Sequence, residues 1–261
     1  MPEQRTWTRR QFMTAAGAAV AVAPLACGGP AIDIDAPGGG SARLTARPGA
    51  PTTSITPGTW PLGLGPTTYD GFLLVPQSYV AGTPTPLVLA LHGAGSRASG
   101  PINFLGGYAE SHGFIVLSVD SVGLTWDAIY FKYLSDVQFI DRALAHAFDR
   151  CTVDPARIVV EGFSDGASYA LGLGLANGDL FKRVVAFSPG FIPPFDDAAV
   201  GKPEIFCSHG LQDSVLRIEY ASRPIVTNLR SLGYAVDYHE FTGGHEIPPA
   251  IAALAADWLV R

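Results

Sequence analysis

Two kinds of hydrophobic patterning alternate along the chain. Residues 87–91 and 115–119 are nearly unbroken apolar runs, as strands covered on both faces require. Further extended signals lie at 71–75, 158–160, 184–187, 205–208 and 236–241. Between them, apolar residues return at helical spacing over 136–148, 167–176, 219–232 and 249–259. The strand runs are separated by segments long enough for crossovers, which predicts a mostly parallel α/β sheet with helices on both faces. Asp154-Pro155 predicts a turn just before the strand around 158–160, because proline fixes φ and biases its predecessor away from helix. No sequence period recurs, so a solenoid is excluded.

Composition sharpens this picture. With 48% hydrophobic and 15% charged residues among 261, the chain has enough apolar material for one sizeable core. The formal charge of -6 comes without a basic run, which argues against electrostatic capture of nucleic acid or of an anionic membrane. A small-molecule partner and a monomer are the expectation, with no metal or cofactor.

The first residues read differently. Thr8-Arg9-Arg10-Gln11-Phe12-Met13 is a twin-arginine pattern, and the weakly apolar stretch 15–26 is too short to span a bilayer. Residues 1–27 are therefore read as an export signal, which implies a periplasmic or extracellular protein. Leu25-Ala26-Cys27-Gly28 resembles a lipoprotein box in which Cys27 is lipidated, with Pro24 departing from the usual aliphatic residue; ordinary cleavage near Ala26 stays open beside it. Lipidation of Cys27 is the one route to a membrane. Residues 28–57, rich in Gly, Pro, Ser and Thr, read as a flexible linker, and 58–261 as the folded domain. Beyond Cys27 only Cys151 and Cys207 remain, and their settings in different segments predict two buried thiols.

The richest chemistry begins at Gly162-Phe163-Ser164-Asp165-Gly166, which follows an apolar run and precedes a small-residue helical stretch. In a strand-turn-helix setting, this pattern holds a serine at the apex of a turn so tight that the positions two residues before and after it must be glycine. His209-Gly210-Leu211-Gln212-Asp213 then places an acid after a later strand, and Gly243-Gly244-His245 places a histidine after the last one. Groups at the carboxyl ends of parallel strands gather at one edge of the sheet, so Ser164, Asp213 and His245 are expected to converge. The order Ser, Asp, His is that of α/β-hydrolases.

Together with Leu89-Ala90-Leu91-His92-Gly93-Ala94-Gly95, these motifs make residues from about 69 to 261 resemble an α/β-hydrolase, closest to exported carboxylesterase/phospholipase and polyhydroxybutyrate-depolymerase-like serine esterases. The resemblance implies Ser164 as nucleophile, His245 as base and Asp213 as orienting acid, with the backbone N–H groups of Ala94 and Asp165 forming an oxyanion hole. Glu246 and Asp120 are the fallback acids. His92 is expected to order the oxyanion turn, while His112, His146 and His239 carry no assigned chemistry. Trp126, Tyr130, Phe131 and the loop 191–195 are candidates for the acyl pocket.

Ser164 and Asp213 stand 49 positions apart, which leaves no room for a large lid domain between them and favours short-acyl or polyester-type esters. Only the segment 123–134 remains to cover the site. Lysophospholipids and thioesters suit the same machinery. The rival from another class is a non-catalytic binding protein on this scaffold, whose signature is a broken triad or oxyanion turn.

Overall fold

A computed structural model of the protein describes residues 40–65 and 69–261, so the expected export signal, the resemblance to a lipoprotein box and residues 28–39 of the expected linker fall outside the described residues. Eight strands form one sheet in the order β1-β2-β4-β3-β5-β6-β7-β8. They are β1 (Gly58–Pro61), β2 (Gly71–Val75), β3 (Thr85–Leu91), β4 (Ile115–Val119), β5 (Val153–Phe163), β6 (Arg183–Phe187), β7 (Glu204–Gly210) and β8 (Val236–Phe241). β1 and β2 pair antiparallel, and every pairing from β4 to β8 is parallel. Among the described residues, four α-helices connect strands, α1 (Ser99–His112), α2 (Ser135–Arg150), α3 (Asp165–Ala176) and α4 (Ser222–Ser231), and a fifth, α5 (Pro249–Leu259), follows β8.

The unbroken apolar runs serve two cores at once. Leu87, Leu89 and Leu91 point into the layer filled by α2, α3 and α4, while Val88 and Ala90 point into the layer filled by α1 and α5. This is the period-two alternation of a strand with both faces buried.

Helix α1 and strand β1 carry no clear sequence signal. Gly100, Pro101, Gly106 and Gly107 lower the helical propensity of α1, and it forms because Leu105 and Ala109 dock on the sheet. Asp154-Pro155 does not stand in a turn ahead of the strand, as expected. It lies inside β5, where a register shift opposite Thr85 and Leu87 absorbs the extra residues, and the Asp154 carboxylate accepts hydrogen bonds from Ala156 N and Arg157 Nε.

The expected linker needs a larger correction. From Gly40 the chain is bound to the domain body rather than free. Ala42 and Leu44 are buried in the α2/α3 core, and Asn177, at the end of α3, accepts from Leu44 N (2.8 Å) and donates to Ala42 O (2.7 Å). The Asp197 carboxylate accepts from Ala42 N, that of Asp141 from Thr45 N and Ala46 N, and that of Asp149 from the Thr52 and Thr53 hydroxyls, while Thr52 N and Thr53 N donate to Asp149 O. Backbone groups of a segment with no helix or strand are thus satisfied by carboxylates, an amide and a main-chain carbonyl far away in sequence.

Cys151 and Cys207 are free and buried, and burial pushes the Cys151 thiol up to about 12, so neither is a poised nucleophile.

Glu161 is the buried acid of β5. Alternation along β5 places it on the α1/α5 side, and its Oε2 has no hydrogen-bond partner among the described residues. Burial pushes its carboxyl from 4.5 up to about 8. The unfolded chain therefore loses this proton near pH 4.5 while the folded protein keeps it to about pH 8, so the group lowers stability progressively as pH rises through that window. Glu161→Gln, neutral at every pH, is expected to unfold at a higher temperature than the wild type at pH 9, with the difference narrowing towards pH 5. Parallel melting curves at both pH values would contradict this.

Candidate active site

The serine turn is built by close backbone approach. β5 ends at Phe163, α3 begins at Asp165, and Ser164 between them takes φ 58° and ψ -119°. A left-handed φ at a non-glycine residue costs of order 1–3 kcal/mol and persists only where its surroundings enforce it. Here Ser164 N donates to Phe187 O of β6 (2.9 Å), and Ser168 N donates to Ser164 O (3.0 Å). A Cβ on Gly162 would overlap the Gly166 carbonyl, and one on Gly166 would overlap the Leu91 carbonyl and lie 2.5 Å from His92 O. Both glycines are therefore steric requirements of the turn.

The other two motifs meet this serine. Asp213 follows β7 and His245 follows β8, and the two loops lie together because Leu211 N donates to Phe241 O and Gln212 N to Gly243 O. Gly210 permits this approach, since a Cβ there would sit 2.5 Å from Gly243 O. Ser164 Oγ lies 2.8 Å from His245 Nε2, and His245 Nδ1 lies 2.6 Å from Asp213 Oδ2. With the Nδ1 proton directed to the carboxylate, Nε2 is free to accept the serine proton. The Phe163 ring packs against the imidazole at 4.8 Å between centroids.

Asp213 is almost fully buried, yet it is built to stay ionised. Burial alone would raise its carboxyl, but the hydrogen bonds from His245, from Leu216 N (2.8 Å) and from Val215 N (2.9 Å) hold it below the ordinary value. The fallback acids are engaged elsewhere. Asp120 accepts from Ala98 N and Asp70 N, and Glu246 Oε1 accepts from Gly244 N within its own loop.

The His92-Gly93-Ala94-Gly95 turn lies directly beside the serine, with a Cβ on Gly93 calculated to touch Ser164 Cβ at 3.4 Å. Neither Ala94 N nor Asp165 N has an acceptor among the described residues. His92 orders this turn: Nδ1 donates to Gly93 O (2.8 Å), while Nε2 accepts from Ser121 N (3.0 Å). Burial holds the ring below the ordinary histidine value, in keeping with the neutral form that these two bonds demand.

The loop from β4 to α2 is fastened to the same turn. Gly95 N donates to Leu124 O, Trp126 Nε1 to His92 O (2.8 Å), and Thr125 Oγ1 to Asp165 Oδ2 (2.7 Å). Asp136 caps Val122 N and Asp127 N from below. Segment 123–134 is thus a latched wall of the site, and Thr125 is a contributor that its sequence setting does not announce.

The expected acyl pocket contracts. Trp126 is fully buried as a structural anchor, and Ile192 and Phe195 lie in the core. Phe131 and Phe191 remain part-exposed and pack together, with centroids 5.7 Å apart. Of the unassigned histidines, His112 meets Asp257 across α1 and α5, and His239 stacks on Phe206.

Comparison with known proteins agrees with this geometry. A family model described as phospholipase/carboxylesterase matches residues 132–259. A search of curated protein sequences found no match. Among solved structures, the chain is similar to esterase PE8 (25% identity, TM-score 0.60, covering 73% of this chain and 97% of that one). It is also similar in fold to a Bacillus cereus carboxylesterase (20%, TM-score 0.54, 67% and 87%) and to an S-formylglutathione hydrolase, FrmB, from Staphylococcus aureus (16%, TM-score 0.62, 80% and 99%). A parallel sheet that delivers a serine turn, an acid and a histidine to one edge in this chain order, together with these likenesses, shows that the chain has the α/β-hydrolase fold.

Proposed function

We propose that this protein is a serine carboxylic-ester hydrolase that works through an acyl-enzyme on Ser164. The observation that carries this reading is the unbroken chain of contacts from Asp213 through His245 to Ser164 Oγ, 2.6 and 2.8 Å long. In the forward step, His245 Nε2 takes the Ser164 proton as Oγ attacks the ester carbonyl, and Asp213 stabilises the imidazolium that forms. The carbonyl oxygen becomes anionic beside the unengaged N–H groups of Ala94 and Asp165. Losing one such donor typically costs about 2.7–4 kcal/mol of transition-state stabilisation. His245 then returns its proton to the leaving alcohol, and water activated by the same ring releases the acid. The test is turnover of p-nitrophenyl butyrate by the wild type against Ser164→Ala; equal rates would leave a non-catalytic binding protein.

The substrate class follows from the walls. No folded lid stands between Ser164 and Asp213, where the chain is used for α3, β6, β7 and one loop. Short-acyl or polyester-type esters fit such an open site, with the Phe131/Phe191 pair as the apolar contact. Phe131→Ala and Phe191→Ala are expected to lower kcat/KM for butyrate and hexanoate esters by about tenfold, as burial of two or three methylenes is worth roughly 1–2 kcal/mol, while changing acetate much less. A flat response across acyl lengths would move the acyl subsite elsewhere.

The export reading rests on residues 8–26. Replacing Arg9 and Arg10 together by Lys is expected to leave the protein in the cytoplasmic fraction, and unchanged export would defeat it.

A further inference from the structure

Four residues before the triad acid, at the end of β7, stands a histidine that the reaction as described does not use. The side chain of His209 is fully shielded from solvent. Its Nε2 lies 2.7 Å from Leu216 O and 3.1 Å from Asp213 Oδ2. Both neighbours are acceptors, so Nε2 carries the ring proton; it donates to Leu216 O and turns the same N–H edge towards the carboxylate. Nδ1 is buried with no partner among the described residues. Burial holds the ring below the ordinary histidine value, against the opposing pull of Leu216 O and Asp213, which keeps it neutral. An apolar side chain would fill this space without stranding a buried ring nitrogen, so packing alone does not account for a histidine here.

We propose that His209 is a positioning residue for Asp213, an inference that rests on the ester-hydrolase reading. By binding Leu216 O it fixes the short turn 213–216, whose Val215 and Leu216 N–H groups hold Asp213 Oδ1. Its own N–H edge faces Oδ2, the oxygen that orients His245. The carboxylate is thereby held on both oxygens and cannot turn away from the imidazole.

Few other charges bear on this cluster. Glu240 of β8 stands opposite His209 in the sheet register, but Arg223 of α4 binds it at 2.8 Å. Arg217, next to Leu216, pairs with Glu219, and Glu246 is turned into its own loop. On the other side, at this level of the sheet, Phe187 ends β6 opposite Ser208 and Ser188 N donates to Ser208 O.

The test compares p-nitrophenyl butyrate hydrolysis from pH 5 to 9 by the wild type, His209→Gln, His209→Asn and His209→Ala. The glutamine amide nitrogen reaches the place of Nε2, whereas that of asparagine falls one methylene short. His209→Gln is expected to keep kcat within about threefold, while His209→Asn and His209→Ala lose roughly tenfold or more in kcat with KM little changed, the pattern of a lost transition-state orientation. In both weaker variants the acid limb of the profile is expected to move to lower pH, because a carboxylate that turns away from the imidazole favours its protonated form less.

A wild-type kcat and limb in His209→Asn, or a loss that merely follows a lowered melting temperature with the limb unmoved, would overturn the proposal. If His209→Ala does not fold, His209→Asn carries the test. NMR titration of the His245 ring in a Ser164→Ala background reads the same effect without turnover. An inactive wild type would therefore defeat the hydrolase reading, and an unmoved His245 titration in His209→Asn would defeat this one.

Discussion

Ser164→Ala is expected to lower kcat on p-nitrophenyl butyrate by roughly 10⁴- to 10⁶-fold, the scale seen when a serine nucleophile is removed from such a constellation. The change deletes only Oγ and its 2.8 Å contact with His245 Nε2, so a folded protein with unchanged circular dichroism is expected beside the lost rate. His245→Ala should cost about as much, and the double variant little more than either alone, because the two groups act on one proton transfer. Additive losses would mean that serine and histidine work separately. Stopped-flow or endpoint hydrolysis with the three variants settles which holds.

Gly166→Ala is expected to damage both the fold and the rate, although it removes no functional group. Its new Cβ would overlap the Leu91 carbonyl and come 2.5 Å from His92 O, and neither of these backbone atoms can swing aside as a side-chain tip can. The start of α3 must then move away from the end of β3, at roughly 1–3 kcal/mol for forced overpacking. That movement separates the Asp165 N–H, at the start of α3, from the Ala94 N–H, in the turn that follows β3. A displacement near 1 Å at a reacting centre costs about a hundredfold. Chemical denaturation and kcat/KM together test this, and a stable, fully active Gly166→Ala would show that the turn is looser than its contacts indicate.

These two substitutions mark what was legible in the residues. The serine turn could be read because its constraint is local: two glycines at fixed offsets, a strand before and a helix after. The acid and the histidine could be read because parallel strands place their following loops at one edge, and both motifs follow strand-like runs. His92 was legible as a turn-ordering residue for the same reason of adjacency.

Other features escaped because their partners are distant. The segment from Gly40 has the composition of a linker, yet it is held by Asn177, Asp141, Asp149 and Asp197, each more than 90 positions away. Helix α1 has four poor helix formers in fourteen residues and gains its order from docking on the sheet. Trp126 looked like a pocket aromatic because its hydrogen bond to His92 O spans 34 positions.

The residue order alone therefore determined the class of fold, the serine turn and the identity of the three side chains that meet, since strand alternation and glycine sterics are written locally. Tertiary structure decided which aromatics are buried and which stay part-exposed, that Thr125 ties the β4–α2 wall to Asp165, and that His209 stands behind Asp213. Such contacts arise only when loops from separate strands are packed edge to edge, and hydrogen-bond geometry across that packing leaves no periodic trace in the chain.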